Sequence, residues 1–265
     1  MAAKRNKTKY RDILWRVCKR MRRVLFGEVC ISCGDRGVRD ELLCASCAAE
    51  FQRKLAEKCP DCGEARMNCY CAPPKLTDAG CEFLAKLAAY NAGDRDCPVN
   101  RIIWRQKRVR DRECAAFLAE LMAIPVTSML DAQGVDRAAA VVTYVPRDPA
   151  RILEAGHDQA KMLARAVARE LGVPCAALIG RRRDSAEQKN LSAAARAANV
   201  RSLFFLSPDA QSGAIAGRAV ILVDDLVTTG ATAAACVDLL TGTGARVFCA
   251  AVAFTPLRAE EAPAE

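Results

Sequence analysis

Two adjacent carboxylates, Asp224 and Asp225, stand between an apolar run and a loop rich in threonine. Residues 220–223 have the composition of a strand buried on both faces, which is typical of a parallel sheet. The carboxylates therefore belong to the carboxyl end of a strand, where open α/β sheets bind ligands. The loop at residues 228–232 leads into a helix-forming segment, so its free N–H groups and hydroxyls can hold a phosphate. This arrangement indicates a site for a ribose phosphate.

A second chemical signature is a set of closely spaced cysteines. Eight of the fifteen cysteines form four pairs: Cys30 and Cys33, Cys44 and Cys47, Cys59 and Cys62, and Cys69 and Cys71. A Cys-x-x-Cys turn directs two thiolates at one ion, and two such turns complete a tetrahedral zinc site. Gly34 and Gly63 suit the positive φ of such turns. The spacing predicts two structural zinc sites, because four thiolates leave no position open for catalysis.

The cysteine pattern leaves alternatives open. A disulfide framework and an iron–sulfur cluster are less favoured than zinc, since no secretory signal is present and cytosolic thiols stay reduced. Pairing in sequence order gives one site from the first two pairs and another from the last two, and crossed pairing of the second and third pairs is the alternative. The second site is the less regular because its last pair is Cys-x-Cys. Cys81 is either a substitute ligand or a packed side chain.

Positive charge is concentrated at the N-terminus. The chain of 265 residues has a formal net charge of +9, and before Cys30 ten lysines and arginines face two acids. Residues 1–27 are predicted to form a basic amphipathic helix that lies on a membrane, on nucleic acid or on its own domain. Arg105, Lys107 and Arg108 form a second basic group and are candidate contacts to nucleic acid, including single-stranded DNA.

Hydropathy and the sequences at the two ends of the chain give expectations about the cellular location of the protein. The composition predicts no transmembrane segment, because no run reaches the roughly eighteen apolar residues that a span requires. The N-terminus lacks the apolar core of a secretory signal, so a cytoplasmic location is expected. The acidic, proline-broken tail at residues 257–265 is expected to be disordered.

The middle of the chain alternates apolar runs with amphipathic helices. Pro73 and Pro74 close the cysteine region. Beyond them the patterns predict a strand at residues 83–90, a helix at 112–122, a buried strand at 138–145 and a helix that opens near Gly156 and ends at Leu171. This alternation is typical of an α/β fold with a mostly parallel sheet.

Three segments, taken in order, resemble one protein family. The pattern hydrophobic-Asp-Asp-x-x-Thr-Thr-Gly-x-Thr within residues 220–232 resembles the phosphoribosyl-pyrophosphate (PRPP) motif of type I phosphoribosyltransferases. The chain as a whole resembles the ComF family of phosphoribosyltransferase-like competence proteins, which includes the GntX type. The further residues that carry this resemblance, besides the cysteine module, are Val145, Pro146, Pro149, Arg151, Gly156 and Gln159, with Tyr90 and the basic group around Lys107. The resemblance covers about residues 28–256.

The resemblance implies a fold, a ligand and a process. It implies a type I phosphoribosyltransferase-like fold at residues 80–256, preceded by a double zinc ribbon at residues 28–73. It implies that Asp224 and Asp225 are the catalytic acids that hold the ribose of PRPP, with Mg²⁺ as cofactor. The implied process is DNA uptake in natural transformation, with the DNA-uptake machinery as a partner. The implied PRPP-binding residues are Val223, Asp224, Asp225, Val227, Thr228, Thr229, Gly230, Ala231, Thr232, Pro146 and Arg147, and a mobile loop carries Arg183, Gln188 and Arg196.

One segment departs from the family's pattern. Where the family shows Arg-Gly-Phe-Asn-Gln, this chain has Ala155, Gly156, His157, Asp158 and Gln159. The missing arginine and the added acid are expected to weaken pyrophosphate binding, and His157 is more simply a packed or surface residue than a general base. Two functions remain open: a phosphoribosyltransferase with an unidentified acceptor, and a non-catalytic zinc- and nucleic-acid-binding accessory protein with a sensory or vestigial PRPP site.

Overall fold

The computed structural model describes residues 29–36, 38, 41–81, 83–182 and 202–256. The predicted basic helix at residues 1–27 and the tail at residues 257–265 lie outside this described part, as do Arg183, Gln188 and Arg196 of the predicted mobile loop. The described part contains all eight paired cysteines and every residue of the predicted PRPP site.

The centre of the fold is a parallel sheet of four strands, β1 (Leu84–Ala89), β2 (Val141–Tyr144), β5 (Ala219–Val227) and β6 (Arg246–Phe254). Their order across the sheet is β1-β6-β5-β2, and all three pairings are parallel. Small and branched apolar residues fill β5 and β6, and nearly every residue of both strands is buried. Such strands are covered on both faces of the sheet. The predicted α/β class with a mostly parallel sheet is confirmed.

Helices cover both faces of this sheet. The helices of the described part, in chain order, are α1 (Ala45–Ala56), α2 (Pro74–Asp78), α3 (Pro98–Arg108), α4 (Arg112–Ala132), α5 (Pro149–Ala155), α6 (Gln159–Leu171), α7 (Pro208–Gln211) and α8 (Ala231–Thr241). On one face α4 and α6 pack together, and Leu163 shares an apolar cluster with Ile221 of β5. On the other face α2 packs against α8, and Leu240 shares a second cluster with Leu222. Neighbouring residues of β5 thus enter different clusters, as the alternation of a strand requires.

A short antiparallel sheet lies beside the parallel one. It consists of β3 (Ile179–Arg181) and β4 (Phe204–Leu206), and β4 contacts α8. The sequence patterns do not predict this pair. Strands of three residues that pair across a long intervening segment leave no hairpin signal.

Two predicted elements differ in extent from the structure. Strand β2 begins at Val141 because Asp136 caps a 3-10 turn at Arg137–Ala139 by accepting a hydrogen bond from the Ala138 N–H. Helix α4 continues well beyond the predicted end at residue 122, since its apolar face runs on past Pro125 and packs against α6 and β1. A proline inside a helix removes one backbone hydrogen bond, and the burial of this helix offsets that loss.

Helix α4 is the one helix of the described residues that is long and apolar enough to cross a membrane, judged by length and composition. This differs from the expectation that no segment qualifies, because the helix runs on to Ala132. Half of the most apolar 18-residue stretch of this helix is buried inside the protein. Leu118, Met122 and Met129 belong to the apolar cluster under the sheet, so the packing of α4 is that of a core helix.

The cysteine-rich segment packs directly on the sheet domain. Helix α1 contacts α3, and a 3-10 turn at Arg66–Asn68 contacts β1. The ring of Phe51 in α1 lies 5.8 Å from the ring of Phe117 in α4, measured between centroids. Cys30, Cys47 and Phe51 belong to the same apolar cluster as the sheet residues. The cysteine module and the sheet therefore share one core.

Candidate ligand cleft and metal centres

Strand β5 carries the two predicted acids near its carboxyl end. Successive side chains of a strand point to opposite faces, so Asp224 lies on the face of α8 and Asp225 on the face of α6. The Asp225 N–H donates to Asp224 Oδ1 at 2.8 Å. Both side chains line one cleft at the carboxyl edge of the sheet. Since β5 continues to Val227, the acids lie within the strand and not beyond it.

The cleft has a volume of about 280 Å³. Three groups of residues line it: the end of β5 with the following loop, the segment after β2 with the start of α6, and single side chains from α3 and β3. They are Asp224, Asp225, Leu226, Val227, Thr228, Gly230, Ala231, Thr232 and Ala233, then Val145, Pro146, Arg147, Asp148, Arg151, Gln159 and Ala160, and finally Lys107 and Arg181. Of the predicted PRPP-binding residues, only Val223, which is buried in the sheet, and Thr229, which is exposed, do not line the cleft.

Gly230 shapes the loop between β5 and α8. It precedes α8 with a φ of 77°, which glycine adopts without strain. A Cβ atom at this position would lie 3.2 Å from Pro73 Cγ and 3.5 Å from Leu76 Cγ, so the loop rests on the start of α2. The first turn of α8 lines the cleft through Ala231 and Thr232. The free N–H groups of a helix N-terminus can hold a phosphate at this point.

Lys107 enters the cleft from α3 and pairs with Asp225. Its Nζ lies 3.3 Å from Asp225 Oδ2, and that buried oxygen has no hydrogen-bond partner among the described residues. The sequence predicts Lys107 as a nucleic-acid contact, and the structure places it in the lining of the cleft. The sequence pattern does not reveal this position, because the partner of Lys107 lies far along the chain.

His157 holds the end of α3 that carries Lys107. It is buried, with Nε2 at 2.7 Å from the Gln106 carbonyl oxygen and Nδ1 at 2.9 Å from the Ala155 carbonyl oxygen. A donor at a helix C-terminus satisfies one of the carbonyls that have no partner within the helix. His157 is not among the described residues that line the cleft. Its role in the structure is therefore to position α3.

Arg147 supports the same helix end from the cleft side. Its guanidinium donates to Gln159 Oε1 at 2.6 Å and lies 3.4 Å from the Lys107 carbonyl oxygen. A cation near the last carbonyls of a helix also favours the helix dipole. Arg147 and Arg151 both line the cleft, so two arginines remain there although position 155 is an alanine.

Asp158, the added acid of this segment, is not among the described residues that line the cleft. It caps α6, and its Oδ1 accepts a hydrogen bond from the Lys161 N–H at 3.1 Å. Burial raises the pKa of Asp158, and the Lys161 N–H and charge act in the opposite direction. The carboxyl group is thus engaged at the start of the helix, while Gln159 and Ala160 line the cleft.

The surroundings of Asp224 favour its neutral form in the free protein. Burial raises the pKa of Asp224 well above its usual value, and repulsion from Asp225 raises it further. The hydrogen bond from the Asp225 N–H and the charge of Lys107 lower this pKa, but they do not compensate. A hydroxyl or cation that binds the carboxylate favours its ionised form. Ligand binding at Asp224 is therefore expected to release a proton.

The other two predicted nucleic-acid contacts do not line the cleft. Arg105 is half-buried, and its Nε donates to Asp111 Oδ2 at 2.9 Å. Arg108 is exposed at the end of α3. Of the three basic residues, Arg108 is thus the most exposed to solvent.

Two cleft residues, Arg151 and Arg181, are not among the predicted PRPP-binding residues. Arg151 belongs to the family-like stretch at residues 145–159, which could have indicated it. Arg181 begins a run of three arginines, and a run of like charges is by itself equally typical of a solvated loop. Its position in β3, which the sequence does not predict, brings it to the cleft.

The paired cysteines come together in two groups of four. One group is Cys30, Cys33, Cys44 and Cys47, and the other is Cys59, Cys62, Cys69 and Cys71. Within each group all sulfur atoms lie within 4.8 Å of one another, and Cys33 Sγ is 3.7 Å from Cys44 Sγ. A tetrahedral zinc ion with bonds of about 2.3 Å separates its sulfur ligands by about 3.8 Å. Each group fits such an ion.

The geometry of the two groups answers three of the open questions. The cysteines group in sequence order, and those of the described part are free thiols, which argues against a disulfide framework. The turns at residues 30–35 and 59–64 have matching hydrogen bonds, and Gly34 and Gly63 have φ values of 82° and 76°. Cys81 is fully buried, and its thiol donates to the Phe83 carbonyl oxygen at 3.3 Å, so it packs in the core outside both groups.

Comparison with known proteins places this architecture. The profile of the phosphoribosyl transferase domain matches residues 158–264. The DNA utilization protein YhgH of Salmonella typhimurium strain LT2 is 30% identical over 217 residues, which cover 78% of this chain and 88% of that protein. The protein of the same name in Escherichia coli strain K12 is 28% identical over 225 residues, covering 83% of this chain and 88% of that protein.

Solved structures with partial similarity include two chains. The allosteric regulatory enzyme of purine biosynthesis is 24% identical with a TM-score of 0.34, covering 52% of this chain and 25% of that chain. The protein TT1426 of Thermus thermophilus is 21% identical with a TM-score of 0.29, covering 59% of this chain and 88% of that chain.

Proposed function

This chain belongs to the ComF/GntX-type family of phosphoribosyltransferase-domain proteins, and we propose that its cleft binds PRPP. The observation that carries this proposal is the convergence of three features in one cleft. The acids Asp224 and Asp225 lie near the carboxyl end of a buried strand, the Gly230 loop opens a helix beside them, and Lys107 and Arg147 supply positive charge. Acids for sugar hydroxyls and cations with a helix N-terminus for phosphates are the contacts that PRPP requires.

Each part of PRPP has a counterpart in the cleft. Asp224 and Asp225 accept hydrogen bonds from the ribose hydroxyls. Residues 228–232 surround the 5′-phosphate, and the backbone near Pro146 and Arg147 faces the pyrophosphate. Asp225 Oδ2, a buried oxygen with no hydrogen-bond partner among the described residues, fits a hydroxyl or a hard cation. Mg²⁺, when bound with PRPP, offsets the charge of the pyrophosphate.

The same contacts suit transfer of the phosphoribosyl group. Displacement of pyrophosphate from C1 of the ribose develops positive charge on the sugar ring, and nearby carboxylates stabilise that charge. Fixed positions for the phosphate and the ribose hold C1 toward the acceptor. No strong base is needed for this step. The buried position of His157 outside the cleft lining is consistent with that requirement.

The process in which the protein acts is proposed to be the handling of DNA. Relatives that match over most of this chain carry the name DNA utilization protein, and the N-terminal residues before Cys30 are strongly basic. A basic segment gives salt-dependent affinity for nucleic acid that does not depend on its sequence. The proposed partners are therefore single-stranded DNA and the proteins that take DNA into the cell. Zinc in both cysteine groups is proposed as structural, because every ligand position is a thiolate.

Calorimetric titration of the full-length protein with PRPP and Mg²⁺ tests this function. Saturable binding of one PRPP per chain is expected, and a screen of nucleobases and other acceptors then follows pyrophosphate release. Release with one acceptor establishes a transferase, whereas binding without release supports the accessory function with a sensory site. Absence of PRPP binding at millimolar concentration would overturn the proposal.

Lys107→Met separates the ligand role of this residue from a nucleic-acid role. We expect PRPP binding to weaken about fivefold, because a partly exposed charge contributes about 1 kcal/mol, while binding of single-stranded DNA stays unchanged. Arg108→Met is the matched control on the same helix, and its effect is expected on DNA and not on PRPP. The affinity for single-stranded DNA is measured by fluorescence anisotropy. If both changes weakened it equally, Lys107 would be a nucleic-acid contact as Arg108 is.

A further inference from the structure

Lys86 is a fully buried lysine in the middle of β1. Its Nζ donates to three backbone carbonyls, those of Cys71 at 2.7 Å, Cys69 at 3.0 Å and Leu84 at 3.3 Å. An ammonium group has three N–H bonds, so all its donors are used. Two of the three acceptors belong to residues of the second cysteine group. The sequence gives no sign of this contact, because an isolated lysine in a strand is ordinarily exposed.

A second buried cation lies beside it. Arg66 is 5% exposed, and its Nε and Nη1 have no hydrogen-bond partner in the part of the chain that the structure describes. Its guanidinium carbon is 5.0 Å from the centroid of the Phe254 ring, and Lys86 Nζ is 5.0 Å from the same centroid. Both charges therefore meet at one aromatic ring at the end of β6.

These two cations have no carboxylate partner among the described residues. A buried charge without a counter-charge is costly, and an unpaired buried donor adds to the cost. Four neutral thiols do not supply that counter-charge. One divalent ion bound by four thiolates does, because the complex is doubly negative. With a metal ion bound, the second cysteine group would supply the counter-charge that Lys86 and Arg66 lack among the described residues.

We propose that Lys86 and Arg66 form a buried cationic clamp for the second metal centre, at Cys59, Cys62, Cys69 and Cys71. Lys86 fixes the backbone of the Cys69 to Cys71 segment on β1, and the two positive charges stabilise the metal–thiolate complex. This clamp explains why a Cys-x-Cys pair suffices at this centre: the lysine supplies donors to the carbonyls that a longer turn would satisfy within itself. The inference rests on the proposed zinc occupancy and assigns Lys86 as a positioning residue.

Metal affinity of the full-length protein is the direct test. Zinc content is measured by elemental analysis, and two affinities are resolved by competition with a chromogenic chelator. The wild-type chain is expected to bind two ions, and Cys62→Ser identifies the affinity that belongs to the second centre. In Lys86→Met that affinity is expected to fall roughly 10- to 100-fold, as for other residues that support metal ligands, with the first centre unchanged.

Lys54→Met is the control, because Lys54 lies in α1, the helix that carries Cys47 of the first centre, and its Nζ pairs with Glu57 at 2.9 Å. Both affinities are expected to stay unchanged in this variant. Unchanged affinity of the second centre in a folded Lys86→Met protein would overturn the clamp, and so would equal weakening of both centres. A wild-type chain that binds no metal would instead overturn the zinc assignment itself.

If Lys86→Met does not fold, Arg66→Met provides an alternative test of the clamp. Among the described residues, loss of the Arg66 side chain leaves no carbonyl without a donor, since its Nε and Nη1 have no partner there. We expect weaker metal binding at the second centre, together with an unchanged or higher thermal midpoint in the chelator-treated protein. Metal affinity and the thermal midpoint of the metal-free protein change in opposite directions because the charge of Arg66 is compensated only when metal is bound. A lower midpoint with unchanged metal affinity would show that Arg66 is an ordinary packing residue and would overturn the clamp.

Discussion

Asp225→Asn is expected to weaken PRPP binding on the order of 100-fold, equivalent to about 3 kcal/mol. The amide keeps the shape of the side chain but loses the negative charge that is proposed to strengthen hydrogen bonds from the ribose hydroxyls. It also ends the ion pair with Lys107, whose Nζ lies 3.3 Å from the carboxylate. Lys107 then remains in the cleft without its partner. Calorimetry with PRPP and Mg²⁺ measures the change. Asp209→Asn, at an exposed acid in α7, is the control and is expected to bind PRPP as the wild type does.

Asp225→Asn is also expected to change the number of protons released when PRPP binds. Since the pKa of Asp224 is raised in the folded protein, the fold binds this proton more tightly than the unfolded chain. The stability of the free protein therefore falls as the pH rises through that pKa, whereas PRPP affinity rises. Titrations in buffers of different ionisation enthalpy report the protons released. Asp225→Asn removes a repulsion that raises the pKa of Asp224, so fewer released protons are expected. An unchanged number would show that Asp225 does not contribute to the raised pKa of Asp224.

The core of the candidate site could be predicted because its residues are close in sequence. The apolar run, the two acids and the threonine–glycine loop occupy thirteen successive positions, and each predicts its own local structure. The strand, the loop and the following helix appear in the structure in that order, as β5, residues 228–230 and α8. In this segment the local structural preferences of the residues agree with the structure that tertiary packing imposes. Such agreement is what allows a structure to be predicted from local sequence.

Contacts between distant segments could not be predicted from local patterns. Lys107 stands among other basic residues, and only the fold reveals that its helix ends beside Asp225. The same holds for His157, whose partner is a backbone carbonyl of Gln106, and for Lys86, whose partners lie in the cysteine module. Every residue has a backbone carbonyl, so the sequence cannot show which carbonyl a side chain binds. A residue with such a partner therefore has no recognisable partner in the sequence. For that reason the sequence does not reveal the buried cations of this protein.

One glycine allows the loop after β5 to pack closely against the end of the cysteine module. Gly230 lies in the left-handed region with a φ of 77°, and Pro73 and Leu76 stand directly beside it, where a Cβ would meet their Cγ atoms at 3.2 Å and 3.5 Å. Pro73 is a rigid ring that cannot rotate away, and it directly follows the cysteine module. The loop is thus held in place by the segment that joins the module to the sheet domain.

Gly230→Val is accordingly expected to cost about 2 to 3 kcal/mol of stability, because a branched side chain is strained at positive φ and also collides with Pro73. PRPP affinity is expected to fall on the order of 100-fold, since a displacement of about 1 Å in a positioning loop is enough for such a loss. Thermal unfolding and calorimetry with PRPP measure the two effects on the same protein.

Gly213→Val separates the two causes. Gly213 has a φ of 78°, and a Cβ there meets no atom within 4 Å, so this variant carries a similar backbone strain without the collision and outside the cleft lining. Its stability is expected to fall by a smaller amount, with PRPP affinity unchanged. If Gly230→Val lowered stability but bound PRPP as tightly as Gly213→Val does, the loop after β5 would not hold the phosphate, and the cations Arg147, Arg151 and Lys107 would have to hold the ligand alone.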